Sequence, residues 1–133
     1  MSSKQLGRIF AELDDAISER VSEFTLELHG ELVSNPPKGT PVDTGFASVS
    51  WTPFIGAHPP STAASSVSAA ESAQNAGVAA VASYKITSGQ NLWVYDRAPY
   101  IAKLNAGSSK QSPQGFVEQA IDTTLSKFRN KPL

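Results

Sequence analysis

Apolar residues recur at Leu6, Phe10, Leu13, Ile17, Val21, Phe24, Leu28 and Leu32. Steps of three and four draw one stripe along a helix. The spacing predicts a single helix from Lys4 to about Ser34, which at ~1.5 Å per residue is about 45 Å long. That exceeds the width of a compact domain of this length. Part of it is therefore expected to project or to pack on another subunit, the alternative being a kink or frayed end near Gly7 or Gly30. Asn35-Pro36-Pro37-Lys38-Gly39 stops the pattern, because proline lacks the amide donor and moves its predecessor out of the α region.

Beyond the prolines the pattern shortens. Asp43 is placed either to cap a short helical turn through Phe46-Ala47-Ser48 or to hold an Asx-turn before a strand at about Ser48 to Ile55. Trp51 and Phe54 read as core or interface anchors. Residues 56–69 are rich in Ala, Ser and Pro and read as a mobile loop. Ala70 to about Tyr84 is alanine-rich and helix-compatible apart from Gly77. Residues 87–91 form a turn, and Leu92-Trp93-Val94-Tyr95 is a strand of strong β-formers. Asp96-Arg97-Ala98-Pro99 interrupts it before Tyr100 to Leu104 resumes an extended or short helical path. Ser112 is expected to cap, and Pro113 to start, a final helix in which Phe116, Val117, Ala120, Ile121, Thr124, Leu125 and Phe128 share a face. Lys127, Arg129 and Lys131 then complement its dipole.

Charge changes this picture at one place. Residues 1–34 hold three bases against seven acids, net −4, so within a total of −1 the remainder carries +3. Glu19, Glu23, Glu27 and Glu31 form an acidic ridge that continues back to Asp15 and Glu12. Like charges four apart oppose a helix by a few tenths of a kcal/mol each. The ridge is either a solvated face, a contact for a basic neighbouring subunit, or a surface that repels DNA phosphates. At 133 residues the length suits one domain. The absence of cysteine excludes disulfides and thiolate metal sites. The N-terminus lacks the basic-then-apolar signature of a signal peptide, and no apolar run reaches the ~20 residues that span a bilayer. Synthesis in a cytoplasm is the expectation.

Catalytic patterns are poor. Neither His29 nor His58 stands in a recognisable arrangement with serine and an acid, and no G-x-S-x-G elbow occurs. Asp43-Thr44-Gly45 resembles the aspartic-protease triplet, but there is one copy where two are needed. Gly107-Ser108-Ser109-Lys110 lacks the spacing of a phosphate loop. No cofactor or metal is expected, and the chain is read as non-enzymatic.

Thr40-Pro41-Val42-Asp43-Thr44-Gly45, then Trp51, an Ala-rich segment, a short strand, Ala98-Pro99-Tyr100-Ile101 and the run from Leu104 to Phe116 together resemble the tail-completion or neck proteins of tailed bacteriophages. The likeness covers most of residues 1–130, and the last block is its specific part. Asn105 stands where that pattern usually has glutamate, Ser112 where it has alanine, and Phe46 where a basic residue often follows the glycine. The resemblance implies an α+β domain, a small antiparallel sheet flanked by the long N-terminal helix, the middle Ala-rich helix and the C-terminal helix. It also implies a structural virion protein that forms a homo-oligomeric ring at the head-tail interface, between head-side adaptor or portal proteins and the tail, with DNA passing through the channel and no membrane partner. A tail terminator, a head-side adaptor, or a DNA-contacting packaging accessory are the alternatives. The expected contact residues are Glu19, Glu23, Glu27, Glu31, Asp43, Thr44, Gly45, Tyr100, Asn105, Gly107, Ser108, Ser109, Lys110 and Gln111. Residues 56–69 and 105–112 are the loops expected to order on assembly.

Overall fold

The computed structural model of the chain describes residues 2–42 and 45–132. Helix α1 (Ser3–Val33) is followed by α2 (Phe46–Val49), β1 (Thr52–Ile55), α3 (Val67–Val81), a 3-10 turn (Ile86–Ser88), β2 (Leu92–Tyr95), α4 (Ile101–Asn105) and α5 (Phe116–Phe128). The fold is α+β and mostly helical, with β1 and β2 paired antiparallel in register Thr52↔Tyr95.

α1 runs unbroken through Gly7 and Gly30 as the single helix expected, without the alternative kink. Ser2 and Gln5 close a capping box at its start, each side chain bonding the other residue's backbone N–H. α1 presents two different buried faces. Its apolar stripe lies under α5, where Phe24 meets Phe128 edge-on at 5.5 Å and Leu32 joins Trp51 and Ala120 in the core. A second stripe, Ser18, Ser22, Thr25 and His29, is also buried. It is tied across the molecule: Ser22 Oγ donates to Val81 O at 2.8 Å, and Ser18 Oγ accepts from the Ile86 N–H at 2.8 Å. Small side chains on that face allow α3 and the 3-10 turn to approach closely.

α5 covers α1 only as far as Arg20, whose guanidinium reaches the carbonyls of Lys131 and Pro132. Residues 2–13 extend past it and are exposed throughout, including Leu6, Ile9, Phe10 and Leu13 at 43–55%. The projecting part of the long helix is therefore its N-terminal end.

The 46–55 region is both things the sequence offered, a four-residue helix and then a strand shorter than expected. Pro53 is tolerated in β1 because of register. The Gly56 N–H bonds Asn91 O at 3.0 Å, so by alternation the Pro53–Val94 pair is a non-hydrogen-bonded one and the missing N–H points off the ladder. α3 covers that outer edge through Gly77, where a Cβ would fall 2.0 Å from Pro53 O. The glycine that looked like a flaw in the Ala-rich helix is the point of closest approach. α3 begins three residues earlier than expected because Ser66 caps it, its hydroxyl accepting from the Ala69 N–H.

The start of α5 also differs from the expectation. Ser112 and Pro113 do not open it; the helix begins at Phe116, after Gly115 at φ 78°. Ser112 is buried and its hydroxyl donates to Gly39 O at 2.6 Å. The capping role passes to a remote side chain, Asn105, described below.

Candidate interaction cleft

Two stretches distant in sequence form one concave surface. After α1, the chain folds back so that the Thr40 N–H and hydroxyl both donate to Leu32 O, at 3.0 and 2.8 Å. The same hydroxyl accepts from the buried Trp51 indole at 2.7 Å. These bonds fix the direction in which Pro41 and Val42 leave the core. Gln111 then bridges to them, its Oε1 accepting from the Val42 N–H and its Nε2 donating to Val42 O, both at 2.7 Å. One amide side chain thus satisfies both backbone groups of a residue 69 positions away, much as a neighbouring strand would.

Between these segments, α2, residues 63–67 and α4 lies an open cleft of about 990 Å³. Val42, Phe46, Val67, Pro99, Tyr100 and Leu104 give it an apolar lining, with Ser108 and Ser109 at one side. Val42 and Tyr100 are 41% and 40% exposed. Such a surface can receive apolar side chains while the hydroxyls and backbone accept a few hydrogen bonds.

α4 and α5 are held together by Asn105. Its Oδ1 accepts from the Val117 N–H at 2.9 Å and its Nδ2 donates to Glu118 at 3.0 Å. Its backbone carbonyl accepts from the Gly115 N–H at 2.7 Å. The amide satisfies an open N–H in the first turn of α5 that the local sequence leaves free. The Asn105 bond also holds the Glu118 carboxyl below its ordinary pKa. A glutamate at 105 could accept from Val117 but could not, when ionised, donate to Glu118.

No protein-family model, no curated protein and no solved structure matches this chain.

The expected contact residues divide into three groups. Gly45, Tyr100, Ser108, Ser109 and Gln111 border the cleft, with exposed Lys110 beside them; Asn105 braces α4 against α5, and Gly107 is exposed outside the lining. Asp43 and Thr44 lie outside the described residues. The acidic ridge is elsewhere, and most of it is engaged within the chain. Lys127 bonds Glu27 and sits 2.9 Å from Glu31, Lys38 is 3.0 Å from Glu31 on its other oxygen, and Lys131 is 3.1 Å from Glu23. Burial would raise the Glu31 pKa, but the two lysines outweigh it and hold the carboxyl low. Lys127 and Lys131 are thus spent on α1 of their own chain while Arg129 stays exposed outside any ion pair among the described residues, and Glu19 alone of the four named glutamates is left exposed without an ion pair among them.

Two polar residues carry structural roles that the sequence did not announce. His29 Nε2 lies 3.0 Å from Trp51 O. Burial lowers its pKa against the raising effect of that bond, which keeps the ring neutral and donating. Asp96 ends β2 with Oδ1 accepting from the Ala98 N–H at 2.8 Å and Oδ2 buried without a hydrogen bond. Burial pushes it up to about 7, against the Ala98 bond and the Arg97 charge. An aspartate two residues before a free N–H is the signal of an Asx-turn, so the turn was legible; the burial was not. His58 is exposed and stands 6.0 Å from the Trp93 ring. Among the described residues no cluster of three or more His, Cys, Asp or Glu is arranged to hold a metal, and no helix is long and apolar enough to cross a membrane.

Proposed function

We propose that the chain is a non-enzymatic structural subunit of a tailed-phage virion, assembling as a homo-oligomeric ring at the head-tail junction and completing or capping the tail. The observation that supports this reading is the cleft. It brings Pro41, Val42, Gly45 and Phe46 from one block that carries the resemblance and Pro99, Tyr100, Leu104 and Gln111 from another onto one largely apolar surface. The amide side chains of Gln111 and Asn105 are occupied in bracing the backbone, and the remaining polar side chains of the lining among the described residues are serine and tyrosine hydroxyls, with no histidine or carboxylate. An enzyme site has the reverse arrangement, with polar groups converging on free space.

In this role the chemistry is that of association. The cleft offers apolar area to a neighbouring subunit, and residues 56–66, without regular structure, supply a segment that can adjust on contact. Many copies in a closed ring make modest individual contacts sufficient. Lys127 and Lys131 are paired with the ridge, which leaves Arg129 as the base of that end outside any ion pair among the described residues.

Electron microscopy of particles from the parent phage, with the gene disrupted and then complemented, tests the reading. Filled heads lying apart from tails, restored to whole virions by complementation, support a joining role, and tails of abnormal length support the terminator version. Complete, infectious virions without the protein overturn both. Duplex-DNA affinity of the purified chain that falls steeply with salt would instead favour a DNA-contacting accessory role.

A further inference from the structure

The apolar stripe of α1 does not end where its cover ends. α5 lies over the stripe from Phe24 to Leu32, and the same stripe continues through Leu13, Phe10, Ile9 and Leu6, all exposed. Four large apolar side chains at helical spacing form a contiguous patch of roughly a few hundred Å². At 3.6 residues per turn, Glu12 and Asp14 fall on opposite sides of it. Neither is in an ion pair among the described residues.

The chain also holds a complementary surface. The cleft is concave, apolar and about 990 Å³, and the segment from Pro99 to Gln111 that forms much of it carries Lys103 and Lys110 with no acid. Both lysines are exposed and neither is in an ion pair among the described residues. The other exposed apolar face, Ile121 and Leu125 on α5, lies among Glu118 and Asp122 and has the wrong sign for Glu12 and Asp14. Pairing of two α1 ends buries only the two small patches, below the roughly 1,200 Å² typical of a stable interface. A groove covers a helix on several sides and buries more of it.

We propose that residues 6–13 of α1 dock in the cleft of a second copy of this chain, joining copies head to tail. Leu6, Phe10 and Leu13 enter against Val42, Tyr100 and Leu104, while Glu12 and Asp14 meet Lys103 and Lys110. The contact is heterologous, since one copy gives its helix and the next its cleft, and repetition of such a contact closes a ring or extends a filament. The proposal deepens the assembly reading above and rests on it for the existence of a homo-oligomer, though not for where that oligomer sits.

The chain has no cysteine, so introduced thiols report on a silent background. Ile9→Cys and Ser109→Cys are made in separate full-length chains, and oxidative cross-linking is followed at high protein concentration. Efficient disulfide formation in the mixture, and not in either chain alone, is the expected result. Phe10→Glu added to the Ile9→Cys chain should reduce that cross-link about tenfold or more. Phe10 lies outside the core, so an unchanged thermal melt of this variant shows that folding is intact. Cross-links of Ile9→Cys with itself, or with Leu125→Cys in preference to Ser109→Cys, overturn the docking, as does the absence of any cross-link. Complete virions without the gene would sink the neck reading yet leave a positive cross-link standing. A joining defect with no cross-link would sink the docking alone.

Discussion

At Asp96 one carboxylate oxygen accepts the Ala98 N–H and the other is buried with no hydrogen bond. The folded chain therefore favours the protonated acid, and the pKa rises from 3.8 to about 7. The direction of the pH effect follows from which state binds the proton more tightly. Between those two values the folded state is protonated and the unfolded state is not, so stability from this group is fully present below pH 3.8 and is lost as pH rises through 7. A rise of that size corresponds to roughly 4 kcal/mol. Asp96→Asn keeps the acceptor for Ala98 and removes the titration, at the cost of a buried amide N–H worth about 1–3 kcal/mol. Urea unfolding at several pH values should show the variant more stable than wild type at pH 8, by about 1–3 kcal/mol, and less favoured at pH 4. His29, whose pKa is lowered, gives the opposite slope below pH 6.5, but it is common to both proteins and drops out of the difference. Parallel pH profiles for the two proteins would rule out Asp96 as the source.

At the scale of elements, α1 and α5 are joined by an apolar seam with an ionic margin, and the margin is uneven. Glu31 is 5% exposed and held between Lys127 and Lys38, whereas Glu23 and Lys131 are both more than 40% exposed. Exposed pairs contribute little, while removing one partner of a buried carboxylate leaves it under-compensated. Lys127→Met should therefore lower the urea midpoint clearly more than Lys131→Met does. Because the Glu31 pKa is lowered in the folded chain, its stabilisation is present above the unfolded value of 4.5 and is lost as pH falls through the folded value. The gap between the Lys127 variant and wild type should close in acid. Equal effects of the two substitutions would place no special value on Glu31. The same elements show what the sequence can and cannot carry. Local patterns announced α1, α5 and β2, and alanine-rich composition announced α3, because an apolar stripe, a β-branched and aromatic run or a helix-favouring composition is a property of neighbours in the chain. The second face of α1 was invisible, since Ser18, Ser22, Thr25 and His29 look like solvent residues until Val81 O of α3 accepts from Ser22, Trp51 O pairs with His29 and the Ile86 N–H donates to Ser18. Ser112-Pro113 misled for a related reason: the expected start of α5 used a local cap, and the fold uses Asn105 from α4. The cleft was legible only as two motifs, because the Gln111 bridge to Val42 that joins them spans 69 residues.

The molecule as a whole divides along α1 into a part that builds the core and a part that is exposed along its whole length. Residues 18–33 supply both buried faces; residues 2–13 are exposed on every side. A helix extension without packing is held by propagation and its cap alone, and helical segments of about that length are marginal in water. Local opening of such a segment takes far less free energy than global unfolding. Hydrogen exchange of the monomeric chain should accordingly show amides of residues 6–13 exchanging close to the unprotected rate while those of 22–33 are protected near the global limit. Once copies associate through the cleft, protection should appear over 6–13 and over 99–111 together, and at the same protein concentration. Protection of 6–13 in the monomer would mean the overhang is stabilised within its own chain and is not poised for a neighbour. Protection appearing on 6–13 without 99–111 would put its partner on some surface other than the cleft.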